Sequence, residues 1–382
     1  MPGPPGACPP VRAPRRLPDF PWDRLGPYAE IAAAHPDGIV DLSVGTPVDS
    51  TPEVARRALT AASDAPGYPL TAGTATVRRA AARWISRRFG VSVADDAVLP
   101  VIGTKELVAL LPGHLGLGAH SCVAFPGLAY PTYDVGARLA GARPVVADFP
   151  DDLADGGSAS GADLLWINSP ANPTGRVLSV EQLAALVAAG RRAGAIVVSD
   201  ECYADFGWDA EPVSVLHPDV CGGSHAGLLA VHSMSKRSNL AGYRAGFITG
   251  DPALVAELRE VRRHAGMIVP APVQAALEAV LDDEEHVAVQ RQRYADRRTV
   301  LRAGLEAAGF RVEHSSAGLY LWVTRDESCW DSVRDLAEQG ILVAPGEFYG
   351  AAGGRHVRVA LTAPDARVAA AAARLTGAER GR

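Results

Sequence analysis

Lys236 follows the apolar run Leu228–Val231 in GLLAVHSMSKRSNLAGYRAG (227–246), with Ser233 and Ser235 just before it and Arg244 eight residues after. A primary amine condenses with an aldehyde, and hydroxyls with a guanidinium hold a phosphate dianion. The group therefore suits an aldehyde cofactor that carries a phosphate. A solvated lysine at a strand end would show the same short spacing, so the reading rests on what else the chain supplies.

Four further segments supply it. Gly103-Thr104-Lys105 follows the run VLPVI and opens a helical stretch, where free backbone N–H groups suit a phosphate. Lys105 either meets an anion there or is solvated at the helix start. Asn168-Ser169-Pro170-Ala171-Asn172-Pro173-Thr174-Gly175 also follows a strand-like run, and its prolines and closing glycine fix a tight loop. Asn172 is placed to donate to a ring oxygen. Asp200 ends AIVVS and opens DECY, so a carboxylate there can pair with a protonated ring nitrogen and keep the ring an electron sink. An ordinary helix cap is the alternative for Asp200. Tyr203 can share the ring oxygen with Asn172, and Glu201 reads as structural. In FPGLAYPTYD, Tyr130 could stack on the ring, with Tyr133 as competitor. Amine, phosphate donors, ring-nitrogen partner and ring-oxygen donors together describe a site for pyridoxal 5′-phosphate.

These residues need strands to carry them. Strands are expected at Val98–Ile102, Cys122–Phe125, Pro144–Ala147, Leu164–Asn168, Ile196–Ser199, Leu228–His232 and Gly246–Thr249. Between them the helical expectations are Lys105–Leu111, Thr132–Ala140, Val180–Ala193 and Pro252–Arg263. Such alternation gives an α/β fold with a mostly parallel sheet covered on both faces. Ligands of such sheets bind beyond the carboxyl ends of the strands, where every candidate above falls. After about residue 265 the texture changes to a smaller α+β unit. It has a long helix from Ala271 to Ala307, strands within GLYLWVT (318–324) and HVRVAL (356–361), and a helix over Cys329–Gln339. The expected division is a tail at 1–17, an arm at 18–45 that packs on the smaller unit, a large cofactor-binding domain at 46–264 and a small domain at 265–382.

Composition removes other classes. The 382 residues are 48% hydrophobic and 21% charged, as in a globular protein, and the net charge of −6 offers no footprint for nucleic acid or anionic membrane. No apolar stretch of about 18 residues is free of charge, so no spanning helix is expected. The proline-rich start has no signal-peptide core, and a cytoplasmic location is expected. Five cysteines without a CxxC pair suggest free thiols, and no HExxH-like spacing suggests a metal. No GxGxxG follows an early strand, against dinucleotide binding.

In this order the motifs resemble the class I/II aminotransferases, fold-type I enzymes of pyridoxal phosphate, over Phe20 to Thr376. The resemblance implies a seven-stranded, mainly parallel sheet and a homodimer with shared active sites. It makes Lys236 the cofactor's lysine and the proton carrier. It also implies that Tyr68, in GYPLTAGTATVRRA, reaches the neighbouring subunit's phosphate. Arg358, in HVRVAL, would fork the substrate α-carboxylate, which Gly45, in DLSVGTP, would approach with its backbone. Strings such as SDECYADFGWDAEPVSVLHP and APGEFYG are similar to actinobacterial N-succinyldiaminopimelate aminotransferases. That likeness implies ping-pong amino transfer between glutamate and N-succinyl-2-amino-6-oxopimelate, in lysine biosynthesis. The remote negative charge of such substrates needs a cation, for which Lys105, Arg24, Arg262 and Arg263 all remain open. Phe20 and Trp22 either close over the site or anchor the arm. Two rivals share the motifs: another transaminase or C–S lyase on the same scaffold, and a cofactor-binding regulator. The regulator would need a DNA-binding domain ahead of the fold, where only about 20 residues stand.

Overall fold

The computed structural model describes residues 17–377. The expected tail at 1–17 lies outside the described residues, Leu17 excepted, and so does Cys8. The large sheet has seven strands: β1 (Val98–Ile102), β2 (Cys122–Phe125), β3 (Arg143–Val146), β4 (Leu164–Asn168), β5 (Ile196–Asp200), β6 (Leu228–Ser233) and β7 (Ala245–Gly250). Their order is β1-β7-β6-β5-β4-β2-β3. Only β7 runs against its neighbours, pairing antiparallel with both β1 and β6. The remaining pairs are parallel.

The sequence dictates this burial. β4, β6 and β7 are buried at every position, as continuous apolar runs between two helical layers should be. One face packs with Trp84, Ile85, Leu183 and Phe247, and the other with Leu107, Tyr133, Trp166 and Leu258. Local signals set the helix ends. Ser179 and Gln182 form a reciprocal cap before the helix Val180–Ala193, at 3.0 and 3.2 Å.

Strand bounds moved by a residue or two from expectation, but the long helix is broken. It forms two helices, Ala271–Leu281 and Glu285–Ala307. The cause lies in Asp282-Asp283-Glu284, because aspartates compete with the helix for backbone donors. Asp283 Oδ1 accepts from His286 N at 3.0 Å, and Arg87 Nη2 donates to the Leu281 carbonyl at 2.5 Å.

A second, antiparallel sheet has four strands in the order Ala344–Pro345, Val357–Ala360, Tyr320–Thr324 and Arg311–Glu313. Val40–Asp41 pairs parallel with Ile341–Leu342, and Leu25, Ala32 and Leu42 join the same core as Tyr320, Trp322 and Val333. This sheet carries Arg358 opposite Trp322 and Ala344. Among the described residues no helix is long and apolar enough to cross a membrane, and no cluster of His, Cys, Asp or Glu could hold a metal.

Candidate active site

A cavity of about 710 Å³ opens over one edge of the large sheet, between it and the four-stranded sheet. β1, β4, β5 and β6 all end there, delivering Gly103-Thr104, Asn168, Asp200 and Ser233 in turn. Because β7 runs the other way, its leading residue Arg244 arrives at the same edge.

The anion-binding end is built from short-range geometry. Gly103 has φ of +73°, and a Cβ there would lie 2.2 Å from Arg244 Nη2, so only glycine lets the guanidinium lie against the chain. Thr104 then begins a helix whose free N–H groups open on the cavity. Ser233, Ser235 and Arg244 line the same corner. A phosphate would meet hydroxyl, guanidinium and amide donors there.

Lys236 is partly buried at the cavity floor, in the one-turn helix Met234–Arg237. Burial lowers its pKa. Tyr320 and Cys202 oppose that shift, while Arg358 and Arg244 add to it. A neutral amine is therefore easier to reach than on an exposed lysine, which suits both condensation and proton transfer.

Asp200 is 8% exposed. Its Oδ2 accepts from the Tyr133 hydroxyl at 2.9 Å and its Oδ1 from Cys202 N at 3.2 Å. Burial raises its pKa, partly offset by the bonds from Cys202 and Tyr133. A cationic ring nitrogen would be its natural counter-charge. Tyr133 is fully buried and stacked on Trp166 at 4.9 Å, so of the two competing tyrosines it is Tyr130 that faces the cavity. Burial pushes the Tyr130 hydroxyl up to about 12, so it stays neutral.

At the opposite end Arg358 is 3% exposed. Its Nη1 donates to Asn172 Oδ1 at 2.9 Å and its Nη2 to the Ser43 carbonyl at 2.8 Å. The guanidinium lies 3.9 Å from the Tyr320 ring centre, and Nε is buried without a partner. Because Oδ1 of Asn172 faces Arg358, its amide nitrogen is left as the donor. Tyr203 and Tyr320 share a hydroxyl hydrogen bond at 3.0 Å beside it. Gly45 also lines the cavity, and a Cβ there would collide with the Tyr320 hydroxyl at 2.1 Å.

The structure thus brings together Gly45, Thr104, Lys105, Tyr130, Asn172, Asp200, Tyr203, Ser233, Ser235, Lys236, Arg244 and Arg358 around the cavity, while Gly103 lies behind them against the Arg244 guanidinium. Tyr68 is not among them; it stands 98% exposed on a loop. Of the four candidate distal cations only Lys105 lines the cavity, with Nζ 5.5 Å from the Phe20 ring and 5.9 Å from that of Tyr130. Arg262 is wholly buried against Glu106, Arg263 pairs with Glu260, and Arg24 pairs with Glu347 over the Trp330 ring. These three are engaged elsewhere because each found an acid on a neighbouring element or turn. Phe20 and Trp22 line the mouth, and Trp22 packs on Phe348 at 5.4 Å.

Sequence reasoning missed Tyr320 and the bond from Tyr133 to Asp200. Tyr320 sits in an ordinary strand pattern, and only the packing of two sheets brings it to the cavity. Asn168 stands within the doubled Asn-Pro loop and was legible as part of it. It anchors that loop by accepting from Asn172 N at 2.8 Å and donating to the Asp200 carbonyl at 2.9 Å.

The donor set fits pyridoxal phosphate. A donor-rich corner, an amine, an acid and an amide donor converge on one cavity, while Arg358 Nε is left free at its far side. Comparison with known proteins agrees. The family model for aminotransferase class I and II matches residues 37–375. The 4-dedimethylamino-4-oxo-anhydrotetracycline transaminase OxyQ of Streptomyces rimosus is 62% identical, covering 95% of this chain and all of the relative. The probable aminotransferase Rv1178 of Mycobacterium tuberculosis is 61% identical over 94% of this chain and 85% of its own. The solved N-succinyldiaminopimelate aminotransferase of M. tuberculosis superposes with a TM-score of 0.81 at 28% identity, over 93% and 98% of the two chains. The chain belongs to the class I and II aminotransferases, which use pyridoxal 5′-phosphate.

Proposed function

We propose that this aminotransferase moves an amino group from glutamate to an extended keto acid with a remote negative charge, N-succinyl-2-amino-6-oxopimelate being the best fit. The supporting observation is the pairing of Arg358 at one end of the cavity with Lys105 at its mouth. Two cations at opposite ends suit a substrate with carboxylates at both. The 62% identity to a transaminase named for a tetracyclic ketone favours a second reading, in which the aromatic mouth of Phe20 and Trp22 receives a bulky ring system.

When bound, the cofactor supplies an aldehyde for the amine and a ring that takes up electrons as the Cα proton leaves. The protein does the rest. Arg358 offers a planar fork to the α-carboxylate, and the Gly45 backbone allows close approach. Asp200, oriented by Tyr133, favours positive charge on the ring nitrogen. Asn172 and Tyr203 donate to the ring oxygen. Arg244, the serine hydroxyls and the Thr104 helix start hold the phosphate. With the cofactor bound, the Lys236 amine would take the proton from the substrate Cα as base and deliver it, as acid, to the cofactor carbon that carried the aldehyde. Tyr68, exposed in one protomer, would complete the phosphate site of a second copy in a homodimer.

The test separates the half-reactions. The cofactor-loaded protein is mixed with a panel of amines, and keto products are measured. Protein that has accepted an amino group is then offered the succinylated keto acid or the tetracyclic ketone. Glutamate should react, and the succinylated acid should discharge the protein faster than the tetracyclic ketone. Lys236→Ala should lose turnover. Inertness toward glutamate, or ordinary turnover by Lys236→Ala, would refute the assignment.

A further inference from the structure

The turn that follows Lys236 is tied down by a directed chain of side-chain hydrogen bonds. Asn239 has φ of +50°, a left-handed conformation that asparagine tolerates better than most residues. Its amide nitrogen donates to the Ser50 carbonyl at 3.2 Å and to Gln290 Oε1 at 2.9 Å. Gln290 Nε2 in turn donates to Asp49 Oδ2 at 2.8 Å. Arg297 closes the chain with two bonds to Asp49, at 2.8 and 2.6 Å, and a third to Asp365 at 2.6 Å. Gln290 and Arg297 are each 3% exposed, and both belong to the helix Glu285–Ala307.

The direction of this chain is fixed from its charged end. Asp49 as a carboxylate can only accept. Gln290 must therefore turn its nitrogen toward Asp49 and its oxygen toward Asn239, and Asn239 must present its nitrogen. Asp49 also ends the segment whose Val44, Gly45 and Thr46 line the cavity and whose Ser43 carbonyl holds Arg358. One set of bonds thus joins the Lys236 turn to the carboxylate-binding wall. Ser238, the residue before Asn239, makes a second tie to the same helix through His286 at 2.8 Å.

We propose that Asn239, Gln290 and Asp49 are positioning residues, a polarised relay that holds the Lys236 amine in register with the substrate-binding segment. This rests on the reading of Lys236 as proton carrier. Asn239→Gly keeps the left-handed backbone and deletes both bonds. Asn239→Asp keeps shape and backbone but sets an acceptor against two acceptors, and Gln290 cannot reverse because Asp49 holds it. Each holoenzyme variant is measured for kcat, for KM of the amino donor, and for the pH midpoint of the bound cofactor's visible absorbance.

The relay requires both variants to lose about tenfold or more in kcat with KM within about twofold, because small misplacements of reacting groups act on the chemical step. It also requires Asn239→Asp to be at least as impaired as Asn239→Gly, and the pH midpoint to move in both. Gln290→Leu should reproduce the effect from the helix side. The proposal is overturned if Asn239→Asp keeps wild-type kcat and pH midpoint, or if all three variants lose only melting temperature. A wild-type protein that binds the cofactor but turns over no amine would sink the functional reading instead. The pH midpoints would still decide the relay.

Discussion

Arg358 has five N–H donors: two go to Asn172 and Ser43 and Nε is buried without a partner, which leaves one on each terminal nitrogen. Those two bonds, with the Tyr320 ring 3.9 Å away, fix the plane of the guanidinium before any substrate arrives. Arg358→Lys keeps the charge and loses both the plane and the fork. Losing about one charge-assisted hydrogen bond costs roughly 1.5–3 kcal/mol, or about tenfold or more in binding. KM for glutamate should therefore rise about tenfold or more in steady-state assays, while the cofactor's visible absorbance stays as in wild type. An unchanged KM would mean that the α-carboxylate is held elsewhere.

At the scale of elements, the ends of β5 and β6 each bring one polar residue to the cavity and send an adjacent one to the opposite layer. Asp200 and Ser233 face the cavity, whereas Glu201 and His232 are buried 3.7 Å apart on the far side. The two titrate in opposite senses. Burial pushes the Glu201 carboxyl up to about 7 from an ordinary 4.5, against bonds from Val215 N, Ser214 and Ser199. Burial, with Arg237 and Arg88, pulls the His232 imidazole down to about 3 from 6.5. A raised folded pKa gives stability that is whole below 4.5 and lost as pH rises through about 7. A lowered one gives stability that is whole above 6.5 and lost as pH falls through about 3. The two slopes oppose each other where the windows overlap. Glu201→Gln removes the first and leaves the second. Its unfolding free energy relative to wild type should grow by about 3 kcal/mol between acid conditions and pH 8, read from denaturant melts at several pH values. A constant difference would show that Glu201 is ionised in the native protein.

The strands that carry these residues were legible because buried parallel strands write themselves as uninterrupted apolar runs, and the doubled Asn-Pro loop, Asp200 and Lys236 stand at their ends. The break at Asp282–Glu284 was hidden, since helix-like composition continues on both sides of a three-residue acid stretch. The choice of Lys105 over Arg262 was hidden too. A cation's partner is set by which helix packs beside it, and Glu106 lies 156 residues from Arg262 in sequence.

For the whole molecule, the placement of Tyr68 decides whether one chain makes a complete site. Within the protomer the phosphate corner already has Arg244, Ser233, Ser235 and the Thr104 helix start. Tyr68 and nearby Leu70 project into solvent, 98% and 69% exposed, although large apolar side chains favour burial. A homodimer that shares its sites would give Tyr68 a place against the other copy's phosphate. Subunit mixing decides this without a structure of the dimer. Lys236→Ala has no working amine of its own but carries an intact Tyr68, and Tyr68→Ala has the amine but not the tyrosine. If sites are shared, unfolding and refolding the two together should form hybrids in which one site has both groups. At equal input, half of the dimers are hybrids, so about a quarter of all sites are restored to wild-type kcat/KM and cofactor affinity. If Tyr68 serves only its own chain, the mixture will show no more than the average of the two parents. Sedimentation of each parent alone, run at the same concentration, shows whether either substitution has dissolved the dimer itself.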